Sequence, residues 1–338
     1  MNLQQTSSAK RGFTLAELVV AMAITAIIVT VLVTVTSVAL DTWNRSRSEL
    51  RAARSAKTMV DFMARDLESL VIRKGNSYEW LSAVALTDSE IANIGGNKTS
   101  TNPNPLTSTN ASKLIFFTSA KDRYDGKLAT SSDKGGEVSC VGYQLNCRDP
   151  ITGAAAANAA LQTQTYAFNR VLVNPDSTFT DLLGKPDLQD KPGPPKKTGA
   201  FTPYWSLVSD SKSFICENVY QFTVTFQVNV TTVAASGATP ATTVNVPVII
   251  GPVSGPMTAT SFIINGTGIV SDITTGGPVT NAQLAAGKIT GVSISTTVIS
   301  DFGIQQMKQR TFATSAQLAD LIAKNSYQYS KLVPLSAP

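Results

Sequence analysis

The chain has 338 residues, a net charge of +5 and 15 % charged side chains, which leaves room for a membrane helix and one large head domain. Few charges and many Thr, Ser, Asn, Gly and Ala residues are typical of an exported, β-rich surface with long loops. The sequence contains no histidine, nucleophile elbow or cofactor fingerprint, so we expect no enzyme activity, no cofactor and no metal. The basic residues are not interleaved with aromatics, and we expect no nucleic-acid partner.

A short basic leader ends where a long apolar segment begins. Lys10 and Arg11 precede Gly12, and Phe13 opens the apolar segment. The 23 residues of Leu18–Leu40 carry no formal charge, and at about 1.5 Å per residue such a helix crosses a hydrocarbon core of roughly 30 Å. A secretory signal has an apolar core of only about 7 to 15 residues, followed by a small-residue cleavage site. The pattern therefore predicts a transmembrane helix.

Glu17 interrupts the beginning of this apolar segment. An unpaired carboxylate costs about 2.5 to 3.5 kcal/mol at the centre of a membrane, and less near its edge, so Glu17 needs a partner. If the chain were cut between Gly12 and Phe13, the new amine of Phe13 would lie about one helical turn from Glu17. Two such chains could then pair amine with carboxylate. The alternative is a signal anchor in which Glu17 snorkels to the cytoplasmic surface.

The stretch resembles the signal of the type IV pilin and pseudopilin family, in which basic residues precede G, F, T, L, a hydrophobic residue and E. Here it reads K-R-G-F-T-L-A-E-L, with Ala16 where a larger apolar residue is usual. The resemblance implies that a prepilin peptidase in the membrane cleaves after Gly12 and methylates the amine of Phe13. It also implies that Glu17 pairs with the amine of a neighbouring pilin or pseudopilin in a filament.

The charges on either side of the membrane segment disagree with this orientation. Five basic residues beyond the span outweigh Lys10 and Arg11, and the positive-inside rule would place the head in the cytoplasm. These residues are Arg45, Arg47, Arg51, Arg54 and Lys57. We give precedence to the leader, because it is short and its processing requires the cytoplasmic side. We expect a single-pass protein in the lipid of the bacterial inner membrane, with a cytoplasmic N-terminus and a periplasmic head, that later joins a filament.

Beyond residue 40 the helical pattern becomes amphipathic. Apolar residues recur at spacings of three and four, at Ala53, Ala56, Val60, Met63, Leu67 and Leu70. Charged residues lie off this stripe, at Arg54, Asp61, Arg65, Asp66 and Glu68. Two basic residues followed by glycine, Arg73-Lys74-Gly75, are a helix stop signal. The pattern predicts one helix from about Phe13 to Arg73, or two helices with a hinge near residues 41–44.

After residue 76 the period shifts toward two, which is typical of strands. The predicted strands are Lys113–Thr118, Val138–Leu145, Tyr166–Val173, Val219–Val230, Thr243–Ile250, Phe262–Ile264 and Val292–Ile299. The predicted loops, rich in Gly, Pro, Ser, Thr, Asn and Ala, are residues 95–112, 153–165, 184–200 and 234–242. Near the end, Thr314-Ser315-Ala316-Gln317 resembles a capping box, and it predicts a short helix to about Asn325.

The three cysteines fit no zinc pattern. Cys140 and Cys147 could form a disulfide across a hairpin in an oxidising compartment, or they could be buried free thiols. Cys216 would be left unpaired. Asp122 and Asp125, and separately Asp272, lie in segments that could be calcium loops, but we favour simple turns because no run of alternating acidic ligands surrounds them.

The sequence as a whole predicts an α+β fold that resembles a pilin. A leader, residues 1–12, would precede an N-terminal helix, 13–75, whose transmembrane part covers about 15–40. This helix would pack on an antiparallel, β-rich periplasmic head, 76–338.

Two segments sharpen the resemblance. Glu217–Val224 and Ile289–Asp301 are similar to paired strands late in the large J-type minor pseudopilin of type II secretion systems, and the tail is similar to that of a pilin-like cassette protein of Verrucomicrobia. We expect a minor pseudopilin near the tip of a secretion pseudopilus. The alternative is a minor type IV pilin whose head binds a surface, a glycan or DNA, and a membrane-anchored enzyme comes last.

Overall fold

The computed structural model describes Gly12 and residues 14–73, 75–86, 110–123, 136–148, 165–190, 198–233, 242–251, 257–273, 279–310 and 314–335. The chain divides into two compact units, Met1–Ser48 and Glu49–Pro338. Lys10, Arg11 and Phe13 lie outside the described residues, as do most of the predicted loops 95–112, 153–165 and 234–242. The fold is α+β, with a long N-terminal helix and a β-rich head, as the sequence predicts.

Helix α1 covers Leu15–Glu68 as one helical element, including the residues at which a hinge was an alternative. It ends five residues before the predicted Arg73, because the chain beyond it joins the edge of a strand. Leu70 forms a β-bridge with Thr118, and the Val71 amide donates to the carbonyl of Phe117 at 2.9 Å. These bonds satisfy backbone groups that would otherwise have continued the helix.

Seven strands form one antiparallel sheet in the order β10-β9-β1-β2-β3-β4-β5. They are β1 Glu79–Ala85, β2 Ser112–Thr118, β3 Ser139–Arg148, β4 Thr165–Val173, β5 Phe214–Glu217, β9 Ser261–Asn265 and β10 Gly268–Ser271. Gly75, which follows the end of α1, has a φ of +81°, and its amide donates to the carbonyl of Gly266 in the β9–β10 turn. The exit of the helix is therefore tied to this sheet.

Five strands form a second sheet in the order β12-β11-β6-β7-β8, antiparallel except for the β7–β8 pair. They are β6 Val219–Val233, β7 Thr242–Ile250, β8 Thr258–Ala259, β11 Lys288–Ile299 and β12 Ser326–Pro334. The segments compared with a J-type pseudopilin fall largely in β6 and β11, which pair with Val292 opposite Phe226. All seven predicted strands are present, and β1, β5, β8, β10 and β12 are additional.

Three short helices complete the described head: α2 Asn281–Ala285, α3 Asp301–Gln309 and α4 Ser315–Asn325. Helix α4 begins where the capping pattern predicts, because the Thr314 hydroxyl accepts from the amide of Gln317 at 3.3 Å. Further short helical segments lie between β4 and β5, at Pro175–Ser177, Thr178–Leu182, Thr202–Ser209 and Ser211–Ser213.

The core of the head lies between the second half of α1 and the two sheets. Met59, Met63 and Leu67 on α1 are fully buried, and each such side chain stabilises the fold by about 1.5 to 3 kcal/mol relative to exposure. Aromatic pairs join the sheets. Phe168 of β4 meets Phe222 of β6 edge-on at 4.8 Å, and Phe226 of β6 stacks on Phe262 of β9 at 4.2 Å.

Candidate functional site

The beginning of α1 forms a capping box. The Glu17 carboxylate accepts from the amide and from the hydroxyl of Thr14, both at 2.9 Å, and the Thr14 hydroxyl accepts from the Glu17 amide at 3.3 Å. These bonds satisfy two N–H groups that no preceding turn can reach. In a single chain, Glu17 is thus bound by hydrogen-bond donors of its own helix terminus. The T-x-x-E pattern carries this signal, which the sequence analysis missed.

The apolar part of α1 satisfies its polar groups within the helix. All residues from Leu15 to Leu40 are exposed in the isolated chain, and this helix is long and apolar enough to cross a membrane. Threonine and serine hydroxyls donate to the carbonyl four residues earlier, as in Thr25 to Ala21 and Thr30 to Ala26, both at 2.8 Å. Such bonds remove the cost of placing hydroxyls in hydrocarbon.

Near the end of α1 a buried ion-pair network joins the helix to the first sheet. Arg170 of β4 contacts both oxygens of Asp66, with Nε to Oδ2 at 2.7 Å and Nη2 to Oδ1 at 3.2 Å. It also contacts both oxygens of Asp122, with Nη1 to Oδ2 at 2.8 Å. The hydroxyl of Tyr143 donates to Asp66 at 2.6 Å. Asp66, Arg170, Tyr143 and Asp122 are called the Arg170 network below.

This network corrects the sequence analysis, which placed Asp66 on the polar face of α1. Asp66 is 6 % exposed and lies beside Leu67 on the buried face. Burial is possible because Arg170 supplies an opposite charge and Tyr143 supplies a hydrogen bond. Burial also raises the pKa of the Tyr143 phenol well above its ordinary value, so the phenol stays protonated and donates. Asp122, considered above as a calcium ligand, is bound here by Arg170, and Asp125 lies outside the described residues.

A second, more exposed set of polar contacts lies where β5 turns into β6. Asn218 has a φ of +61° at this corner, and its side-chain amide donates to Asp301 at 2.9 Å. Arg51 of α1 reaches Glu217 at 3.5 Å and Asp301 at 3.4 Å, with 69 % of its side chain exposed. Ion pairs this exposed contribute at most about 1 kcal/mol to the free energy of unfolding, so these contacts add little to the stability of the head.

The structure contradicts a disulfide between Cys140 and Cys147. Both residues lie on the single strand β3, opposite Val173 and Tyr166 of β4. Seven residues at about 3.3 Å per residue separate their backbones by roughly 23 Å, whereas a disulfide needs Cα atoms within about 7 Å. Cys140 and Cys216 are buried free thiols. Burial raises the pKa of Cys140 well above its ordinary value and that of Cys216 to about 12.

Comparison with known protein families identifies the N-terminal stretch. Residues 7–33 match the model of the prokaryotic N-terminal methylation motif. No curated protein and no solved structure matches the chain. The matched residues contain the basic pair, Gly12, Phe13, and the Thr14–Glu17 capping box. The chain therefore carries the prepilin signal of type IV pilins and pseudopilins, which implies processing by a prepilin peptidase, anchoring in a membrane and assembly with pilins in a filament.

Proposed function

We propose that the protein is a minor pseudopilin, a structural subunit at or near the tip of the pseudopilus of a type II secretion system. The observation that carries the proposal is the methylation motif at residues 7–33, followed by one long helix and a β-rich head. The size of the head favours the tip, because a bulky head crowds a helical lattice. In this proposal the head acts by assembly and not by catalysis.

Processing follows from the same residues. Prepilin peptidase cleaves between Gly12 and Phe13 and methylates the new amine of Phe13, while Lys10 and Arg11 hold the leader in the cytoplasm. The helix then anchors the subunit in the inner membrane with its head in the periplasm. On assembly, Glu17 exchanges its local hydrogen bonds with Thr14 for an ion pair with the amine of a neighbouring subunit.

Deletion of the gene in its native host tests the proposal. We expect secreted proteins to disappear from the culture medium and to return when the gene is supplied again. A Gly12→Leu variant, which places a large side chain before the cleavage site, should fail to restore secretion. Ala16→Leu, which brings the sequence closer to the family pattern, is the matched control and should restore it.

The same strain separates the proposal from its alternative. Secretion that persists while adhesion to surfaces or DNA uptake is lost would refute a secretion pseudopilin and favour a minor pilin with a binding head. Intact-mass measurement of the membrane-extracted protein should show a chain that begins at a methylated Phe13. A chain that retains Met1 in a host with active prepilin peptidase would contradict the processing step.

A further inference from the structure

A cleft of about 360 Å³ opens where the β9–β10 hairpin meets the end of α2 and the start of β11. Its walls are mainly apolar, formed by Ile72, Trp80, Ile264, Ile269, Ile289 and Leu335. Arg73 and Lys288 also line it, and among the residues that the structure describes no carboxylate does. The volume lies in the range of pockets that bind small ligands, and the lining combines an apolar body with a few polar groups, as such pockets do.

Trp80 is a buried residue that lines the cleft. The residue is only 6 % exposed, and its indole Nε1 has no acceptor among the described residues. Trp80 sits at a β-bulge, because the pairing of β1 with β9 shifts register between Glu79 and Leu81. A second shift occurs in β11 between Ile289 and Gly291. Bulges re-aim side chains and are frequent beside binding sites.

Two cations supply charge for an anionic ligand. Arg73 is held in place, because its Nη1 donates to the carbonyl of Leu183 and its guanidinium carbon lies 5.8 Å from the ring centre of Tyr78. A guanidinium carries five N–H donors, so further donors remain available. Lys288 is exposed and forms no ion pair with any residue that the structure describes.

In one wall of the cleft, backbone packs directly on backbone. Gly268 has a φ of +146°, and a Cβ there would lie 2.6 Å from the carbonyl oxygen of Ala285. The amides of Thr267 and Gly268 both donate to the side chain of Asn265 at 3.0 Å, which orders the turn between β9 and β10. A preformed cleft spares a ligand the entropy of ordering its site.

We infer that this cleft binds an apolar group that ends in a carboxylate, supplied by a small organic acid or by the C-terminus of another polypeptide. The apolar group packs against Ile264 and Ile269, and the carboxylate lies between Arg73 and Lys288. The inference is independent of the filament assignment, because it rests only on residues of the head.

Fluorine NMR of the full chain in lipid nanodiscs tests this inference, with fluorotryptophan at Trp43, Trp80 and Trp205 and each resonance assigned by Trp→Phe substitution. We expect phenylpropionate to shift the Trp80 resonance saturably and phenylpropanol to shift it far less. Acetyl-Ala-Phe with a free carboxylate should act like phenylpropionate if a polypeptide end is the source, and its amide should not.

Variants separate the site from unspecific binding. Lys288→Gln should weaken binding up to about fivefold, the range of a solvent-exposed ion pair, whereas the exposed Lys212→Gln should not change it. Ala286→Phe fills the cleft from its exposed rim and should abolish the shift without disturbing the core. Equal shifts with acid and alcohol, or a ligand shift at Trp43 or Trp205 in place of Trp80, would overturn the inference.

Discussion

Arg170 joins two carboxylates that come from distant parts of the chain. Its side chain is 7 % exposed, and it pairs with Asp66 on α1 and with Asp122 after β2. The guanidinium also lies 4.8 Å from the ring centre of Phe62 on α1. A buried pair of this kind adds little net stability over an apolar contact, but leaving one charge without its partner is strongly destabilising. The network therefore specifies how the end of α1 docks on β3 and β4.

Arg170→Met should lower the free energy of unfolding of the head by about 3 to 5 kcal/mol, because Asp66 would be left buried without a cation. Chemical denaturation of the full chain measures this, with the exposed Arg310→Met as the control that should change little. Adding Asp66→Leu to Arg170→Met should recover part of the loss. Equal denaturation midpoints for Arg170→Met and the parent would contradict a structural role for the network.

The thiols of Cys140 and Cys216 should not react in the folded protein. Both are buried, and burial raises the pKa of Cys216 to about 12 and that of Cys140 well above its ordinary value, so neither forms a thiolate at neutral pH. Iodoacetamide followed by peptide mass mapping should label both residues only after denaturation. A Cys140–Cys147 linked peptide from the non-reduced protein would show that the strand β3 is not formed as described.

At the scale of elements, the predictions that the structure confirms are those that depend on residues close together in the sequence. The alternation of apolar and polar residues over 220–228 predicts β6, and the T-x-x-Q pattern from Thr314 predicts the start of α4. The same chemistry begins α2, where Thr280 and Gln283 form a complete capping box. Period-two burial and capping depend on residues only a few positions apart, so a sequence read alone can predict them.

Other features depend on partners that the sequence does not place. Strand β1 is buried on both faces, so its residues EWLSAVA show no alternation. From the sequence alone, Asp66 is assigned to the polar face of α1. In the structure it is buried, because β4 places Arg170, 104 positions away in the sequence, in contact with it. Trp80 and Lys288 line one cleft only because the end of α2, just before β11, lies against Gly268 of β10. Tertiary contacts decide these positions, and no local pattern encodes them.

The segment between β4 and β5 covers one face of β3, and a glycine makes this possible. A Cβ at Gly142 would lie 2.6 Å from the ring of Phe201 and 2.9 Å from that of Trp205. Gly142→Ala should therefore lower the free energy of unfolding by about 1 to 3 kcal/mol through overpacking. Gly184→Ala is the matched control, because nothing lies within 4 Å of its Cβ. Equal midpoints in denaturation would mean that Phe201 and Trp205 move aside without cost.

A salt bridge links the last strand to α1, with Lys331 Nζ 2.9 Å from Asp61 Oδ1. The hydrogen bond from Lys331 lowers the pKa of Asp61, and that same bond raises the pKa of Lys331. The stabilisation is thus present above the unfolded aspartate pKa of about 3.9 and is lost as the pH falls through the lowered folded value. On the basic side it is lost as the pH rises through the raised pKa of Lys331.

Lys331→Met should consequently reduce stability at neutral pH by up to about 1 kcal/mol, since both side chains are about one third exposed. The difference between variant and parent should shrink once Asp61 is protonated in the folded state. Denaturation at neutral and at acid pH measures the two differences, with Lys212→Met as the control. A difference that stays constant with pH would assign the loss to packing of the lysine stem.

At the scale of the whole molecule, the N-terminal methylation motif and the β-rich head belong to different compact units. The unit Met1–Ser48 carries the methylation motif and the part of α1 that is long and apolar enough to cross a membrane, and the unit Glu49–Pro338 contains both sheets. The amphipathic part of α1 belongs to the second unit and supplies part of its core. The motif for processing and assembly is therefore separate in sequence from the head.

Glu17 has two possible roles in this arrangement, as a helix cap in the single chain and as an ion-pair partner in the assembly. Two substitutions separate them. Glutamine can take the N3 position of a capping box, so Glu17→Gln keeps the cap and removes the charge. Thr14→Ala removes the hydroxyl of the cap at a cost of about 1 kcal/mol and keeps the carboxylate.

If the charge is what assembly requires, Glu17→Gln should be cleaved normally yet crosslink poorly to neighbouring subunits, because their amine is left without a counter-charge in lipid. Thr14→Ala should crosslink almost as well as the parent, since a slightly frayed first turn still presents Glu17. Crosslinks at equal expression, after mass measurement shows equal processing, decide between the roles, and Glu68→Gln at the far end of α1 is the control. Undiminished crosslinks in Glu17→Gln together with their loss in Thr14→Ala would reduce Glu17 to a helix cap, and the motif would then support a membrane anchor without a charge-paired filament.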